Sequence, residues 1–95
     1  MLLRAEANQK EAALKFLEEC VELGGTMNAA GVESWGPVSA PMEKRAGRYR
    51  FQLLLQSDKR SVLQGFLAEW VPRIAILRSA RWVRWSVDVD PQEIL

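Results

Sequence analysis

The stretch RYRFQLLLQSDKRSVLQGFLAEW, Arg48 to Trp70, changes its apolar period partway along, and that change decides the fold. Up to Gln56 the period is two. Tyr49, Phe51, Leu53 and Leu55 fall on one side, and Arg48, Arg50, Gln52, Leu54 and Gln56 on the other, which describes a half-buried strand with a cationic outer face. Beyond it Leu63, Phe66, Leu67, Trp70 and Ile74 form one stripe at helical spacing. Ser57 or Asp58 is available as the N-cap of this helix. Pro72 lacks an N–H and clashes one turn back, so it is expected to kink or end the helix.

Working outward toward the N-terminus, Gly31 to Val38 has strand composition in VESW but is broken by Gly36 and Pro37, as befits an edge strand. Pro41 is expected to begin a turn that carries Lys44 and Arg45 and closes at Gly47. Further upstream, Ala13, Phe16, Leu17, Cys20 and Val21 make a second helical stripe. Asn8 with Glu11 reads as its capping box, and Gly24 and Gly25 as its stop. The opening LLRAEA alternates, with Leu3, Ala5 and Ala7 inward and Arg4 and Glu6 outward. Toward the C-terminus, RWVRWSVDVD alternates as well. Val83, Trp85, Val87 and Val89 share one face, Trp82, Arg84, Ser86, Asp88 and Asp90 the other, and Pro91 ends the run.

The order is therefore β-α-β-β-α-β. This is an α+β domain of the split βαβ, ferredoxin-like kind, with two helices on one face of a four-stranded antiparallel sheet and the other face left open. Phe16, Phe51, Leu53, Phe66, Trp85 and Val87 are expected between helices and sheet. Ninety-five residues, 48% of them apolar, fit a single domain spanning 1–95.

One cysteine, Cys20, and no histidine remove a disulfide framework, the usual zinc spacings and the Ser-His and Cys-His nucleophile pairs. A reducing cytoplasm is the expected compartment, and no apolar run reaches the length of a membrane span. The net charge of +1 hides an uneven distribution. From Lys44 to Arg84 the bases Lys44, Arg45, Arg48, Arg50, Lys59, Arg60, Arg73, Arg78, Arg81 and Arg84 face only Asp58 and Glu69. Such clustering suits a polyanion, although an arginine-rich sheet also serves simply to keep an edge solvated.

Two segments, GPVSAPMEKRAGRYRFQLLLQ (Gly36 to Gln56) and VRWSVDVDP (Val83 to Pro91), together with the LLRAEA opening, resemble the C-terminal domain of the bacterial PriA family of primosomal replication-restart helicases. The resemblance spans essentially the whole chain. It implies a piece of a larger ATP-dependent 3′ to 5′ DNA helicase that acts at stalled forks and assembles the primosome. It implies the fold of a small-subunit ribosomal protein, in agreement with the βαββαβ reading. The family domain is associated with single-stranded and forked DNA and with the acidic C-terminal tail of single-stranded DNA-binding protein. No GxxxxGK[ST] loop occurs here, so this piece is expected to have no enzymatic activity and no cofactor of its own. ATP, magnesium and zinc are expected elsewhere in the parent protein.

The candidate DNA surface is Arg48, Arg50, Trp82 and Arg84, because guanidinium groups beside an aromatic can hold phosphates while a base stacks. The competing reading has solvated arginines and a Trp82 that packs on a helicase lobe of the same parent chain. Under it the domain is purely structural, bracing the lobes without touching DNA. Arg60 and Gln64, four apart at a helix N-terminus, match by resemblance the family positions that hold the acidic tail. Without the resemblance they are an ordinary solvated pair. Asp88 and Asp90 form a DxD pattern, read as hydrogen-bonding or arginine-pairing groups rather than metal ligands for want of a third ligand. Trp35, Trp70 and Trp85 are read as core or interface aromatics, and Cys20 as a small buried hydrophobe.

Overall fold

The computed structural model describes residues 1–27, 31–45 and 47–88. Its elements are β1 (Leu2–Ala7), α1 (Lys10–Thr26), β2 (Val32–Arg45), β3 (Arg48–Ser57), α2 (Arg60–Ala75), a short 3-10 helix (Arg78–Trp82) and β4 (Arg84–Asp88). The strands form one antiparallel sheet in the order β2-β3-β1-β4. The ferredoxin-like α+β architecture expected from the two periods is the one observed.

Alternation puts Leu3, Ala5, Ala7, Phe51, Leu53 and Leu55 on the helix side, where they are buried against Phe16, Leu17 and Cys20 of α1 and Phe66, Trp70 and Ile74 of α2. Phe16, Phe51, Leu53 and Phe66 are core residues as expected. Trp85 and Val87 are only partly buried. They lie on β4, an edge strand, where Trp85 rests against Phe16 with ring centroids 5.9 Å apart.

Several boundaries differ from those read off the chain. The N-cap of α1 is Gln9, whose carbonyl accepts from the Ala12 and Ala13 N–H groups. Asn8 lies one residue too early to cap, and no side chain does so. The glycines do not stop α1, which continues to Thr26. The Thr26 hydroxyl donates to the Leu23 carbonyl at 2.7 Å and the Met27 N–H to that of Gly24, so two terminal carbonyls find partners locally. Gly24 serves packing instead: a Cβ there would lie 3.3 Å from the Phe66 ring.

β2 is an edge strand, as expected, but it runs fourteen residues and carries through both Gly36–Pro37 and the turn expected at Pro41. Shifts of register between Trp35 and Val38 and between Ser39 and Lys44 absorb the interruption, as a bulge does. Gly36 permits this because its φ is 119° and a Cβ would sit 3.0 Å from the Gln52 carbonyl oxygen.

In α2 the cap position is Lys59, and neither Ser57 nor Asp58 caps the helix. The Ser57 hydroxyl instead accepts from the Lys59 N–H at 3.3 Å. The helix passes Pro72 and ends at Ala75. Pro72 and Ala68, the residue whose carbonyl loses its donor, both lie on the solvent side, where that loss costs least. The last strand starts at Arg84, three residues later than expected. Arg78–Trp82 winds into a 3-10 helix, held down by the buried Ser79 hydroxyl, which donates to Glu19 Oε1 at 2.5 Å. Asp90, Val89 and Pro91 lie outside the described residues.

Candidate nucleic-acid interface

Register builds the open face row by row. Glu6 on β1 stands opposite Arg50 of β3 on one side and Arg84 of β4 on the other. Arg50 Nε lies 3.8 Å from Glu6 Oε2, and Arg84 Nη1 lies 3.9 Å from Glu6 Oε1, so one carboxylate serves two guanidinium groups. In the next row Arg4 stands between Gln52 and Ser86. Arg4 reaches diagonally to Asp88, with Nη2 at 3.2 Å from Oδ2. Arg4, Glu6, Ala40, Arg50, Gln52, Arg84 and Ser86 line a shallow groove of about 530 Å³ across these rows. Arg48 lies two residues before Arg50 on the same face of β3 and opposite Arg45.

All of these pairs are partly open to solvent, so each contributes little to stability and its donors remain available to an incoming anion. Of the residues singled out in the chain, Arg50 and Arg84 are brought together, with Arg48 adjoining. Trp82 is not on the sheet: it ends the 3-10 helix and is 72% exposed. Sequence reasoning missed Arg4 and Glu6 as members of this site, although the alternation of LLRAEA had already put both on the polar side. Trp35, read from the sequence as a core or interface aromatic, is 57% exposed and pairs with Leu54 on the open face.

Arg60 and Gln64 are exposed and one turn apart in the opening of α2, whose first turn contains no acidic residue. The positive end of the helix dipole lies there. Asp88 is paired with Arg4, and among the described residues no group of three or more potential ligands gathers for a metal. Among them also, no helix is long and apolar enough to cross a membrane.

On the opposite side, Cys20, Val21, Gly24, Met27, Val32, Phe66 and Trp70 line an apolar groove of about 390 Å³. Burial, with Glu19 adding to it, pushes the Cys20 thiol up to about 12, so it is no nucleophile at neutral pH.

Comparison with known proteins accords with this picture. The de novo designed protein Foldit4 superposes with a TM-score of 0.58 over 93% of this chain and 94% of its own, at 13% identity, a likeness of fold alone. Replication restart protein PriA of Haemophilus influenzae is 37% identical over 93 residues, 98% of this chain and 12% of that protein. Its counterpart from Rickettsia conorii is 30% identical over 78 residues, 82% of this chain and 12% of that protein. The chain thus spans about an eighth of the length of these relatives. The family model for the primosomal protein N C-terminal domain matches residues 1–92, and the chain belongs to that family of replication-restart domains.

Proposed function

We propose that the chain is the DNA- and partner-docking module of a replication-restart helicase. Its open sheet face takes single-stranded and forked DNA, and the start of α2 takes the acidic C-terminal tail of single-stranded DNA-binding protein. The observation that carries the reading is the Arg50–Glu6–Arg84 row, in which two guanidinium groups share one carboxylate at 3.8 and 3.9 Å. Such loose, solvated pairs exchange readily for phosphate, and each arginine brings several donors. ATP-dependent 3′ to 5′ unwinding, with its magnesium and zinc, and primosome assembly belong in this reading to the rest of a longer cytoplasmic protein.

A second reading, in which the domain braces the helicase lobes, draws on the exposed Trp82 and on Ile76, 83% exposed at the end of α2. Exposed apolar side chains suit a protein contact. Fluorescence anisotropy of labelled single-stranded and forked DNA, at two salt concentrations, separates the two. Binding that weakens steeply with salt and is lost in Arg50→Ala and Arg84→Ala supports DNA docking. Absence of binding leaves the bracing role.

A further inference from the structure

We infer that Trp35 is the platform on which a base of single-stranded DNA stacks when its phosphates lie in the arginine groove. The inference rests on the DNA-docking reading above and adds the residue that turns a charged face into a single-strand receptor.

Tryptophan is the largest apolar side chain, and folding ordinarily covers most of it. Trp35 is left 57% exposed on β2, at the edge of the sheet. Its register partner is Leu54, on the open face with Gln52 and Arg50, and Val38, 52% exposed, stands opposite Gln52. Trp35, Val38 and Leu54 therefore form an apolar corner of the same face that holds Arg4, Arg50 and Arg84.

At about 3.4 Å of rise per residue, the corner lies about 7 Å along the sheet from the Gln52–Arg4 row and about 14 Å from the Arg50–Glu6–Arg84 row. These separations let one strand stack a base at the corner and place successive phosphates among the guanidinium groups. Glu33, two residues beyond Trp35 and opposite Gln56, puts a negative charge at the far end. The phosphate path is thereby directed from Trp35 toward the arginines and not away from them.

The platform is fixed in place. Next to Trp35, Gly36 sits at φ 119°, so close to β3 that a Cβ would lie 3.0 Å from the Gln52 carbonyl oxygen. The first of the two register shifts in β2 begins there, between Trp35 and Val38. A stable protein interface covers about 800 Å² on each partner, whereas this corner offers only Trp35, Val38, Leu54 and the adjoining Leu2, bordered by Gln52 and the Arg4–Asp88 pair. A stacked base needs only a ring and a nearby cation.

The test uses this 95-residue chain and a fluorescein-labelled oligothymidylate, read by anisotropy at two salt concentrations. Trp35→Ala should weaken binding about 5- to 100-fold while leaving the salt slope unchanged, because no phosphate contact is lost. Trp35→Phe should retain affinity to within a few-fold, and Trp82→Ala should leave it unaltered. Salt-sensitive, Arg50-dependent binding that Trp35→Ala does not weaken overturns the role of Trp35 and leaves the DNA face standing, with Trp35 then a protein contact. Failure of the unaltered chain to bind overturns both. Thermal melts of Trp35→Ala should match the parent, and Trp35→Phe supplies the answer if they do not.

Discussion

The indole N–H of Trp70 donates to the main-chain carbonyl of Cys20 at 3.0 Å, fifty residues away in sequence and out of contact with water. This bond ties α2 to α1 where both cover the sheet. The ring also stacks on Phe66, with centroids 5.2 Å apart. Trp70→Phe removes the donor and leaves a cavity, so it should cost about 1.5 to 3 kcal/mol. Trp35→Phe, on the open face, should cost less than about 0.5 kcal/mol. Urea midpoints with unchanged slopes measure both, and equal midpoints would contradict the packing described.

The two adjacent glycines of α1 should respond differently to alanine. At Gly25 a Cβ meets nothing within 4 Å, so Gly25→Ala gains helix propensity of about 0.5 to 1 kcal/mol. At Gly24 the Cβ would press on Phe66 at 3.3 Å and on Trp70 Nε1 at 3.5 Å, and the same gain should be largely cancelled. Thermal melts of the two variants decide the point, with Gly24→Ala expected below Gly25→Ala.

Cys20 should make the domain weaker in alkali. Its thiol is held up to about 12 against an ordinary 9.0, chiefly by burial. Between those values the unfolded chain loses the proton and the folded chain keeps it. Stability is therefore intact below pH 9 and falls as pH rises toward 12, by at most about 1.4 kcal/mol per pH unit from this group. Cys20→Ala should start from lower stability, since it trims a packed side chain, but show a shallower alkaline decline. Parallel pH profiles for parent and variant would refute the assignment.

Much of this fold was legible because two periods, 2 and 3.6, were written cleanly into Arg48–Ser57 and Arg60–Ala75, and the order of elements then left one split βαβ arrangement. What failed was punctuation. Gly24, Gly36, Pro37 and Pro72 read locally as breaks, yet each sits inside an element because tertiary context overrides the local preference. Gly24 admits a ring of α2, Gly36 brings β2 onto β3, and Pro72 faces water. Trp82 was misplaced by the same kind of error. The alternation of RWVRWSVDVD continued upstream past Arg84, whereas burial of Ser79 against Glu19 pulls Arg78–Trp82 into a helical turn. The half of the site on β3 and β4 could be read from alternation. The open-face position of Trp35 could not, because its partner across the sheet is set by a bulge.

In the proposed function Arg60 and Gln64 hold the partner's acidic tail. An acidic peptide ending in a free phenylalanine carboxylate offers charges to Arg60 and to the N-terminal end of α2, with Gln64 one turn on as a further donor. Affinity of the isolated chain should be weak, on the order of −5 kcal/mol. Arg60→Ala should abolish it, and Lys59→Ala should lower it only modestly. Amide shifts followed by NMR during titration should centre on residues 59–67, and a footprint elsewhere would remove the site from α2 even if the peptide bound.

Glu6 gives the sharpest test of the open face. Its carboxylate lies between Arg50 and Arg84, so under the proposed function DNA must displace it or share its partners. Glu6→Gln keeps the shape and removes one negative charge from the groove. Both guanidinium groups then become available to phosphate at no cost in broken ion pairs, and the local potential rises. Oligothymidylate affinity should increase about 2- to 10-fold at low salt, with a salt slope equal to or steeper than that of the parent chain. The gain should shrink as salt screens the groove. Arg84→Ala in the Glu6→Gln background should reverse most of it, because the charge released at Glu6 has value only through the arginines it had held. An affinity that falls in Glu6→Gln, with an unaltered melting temperature, would mean that the carboxylate positions the arginines for DNA and does not compete with it.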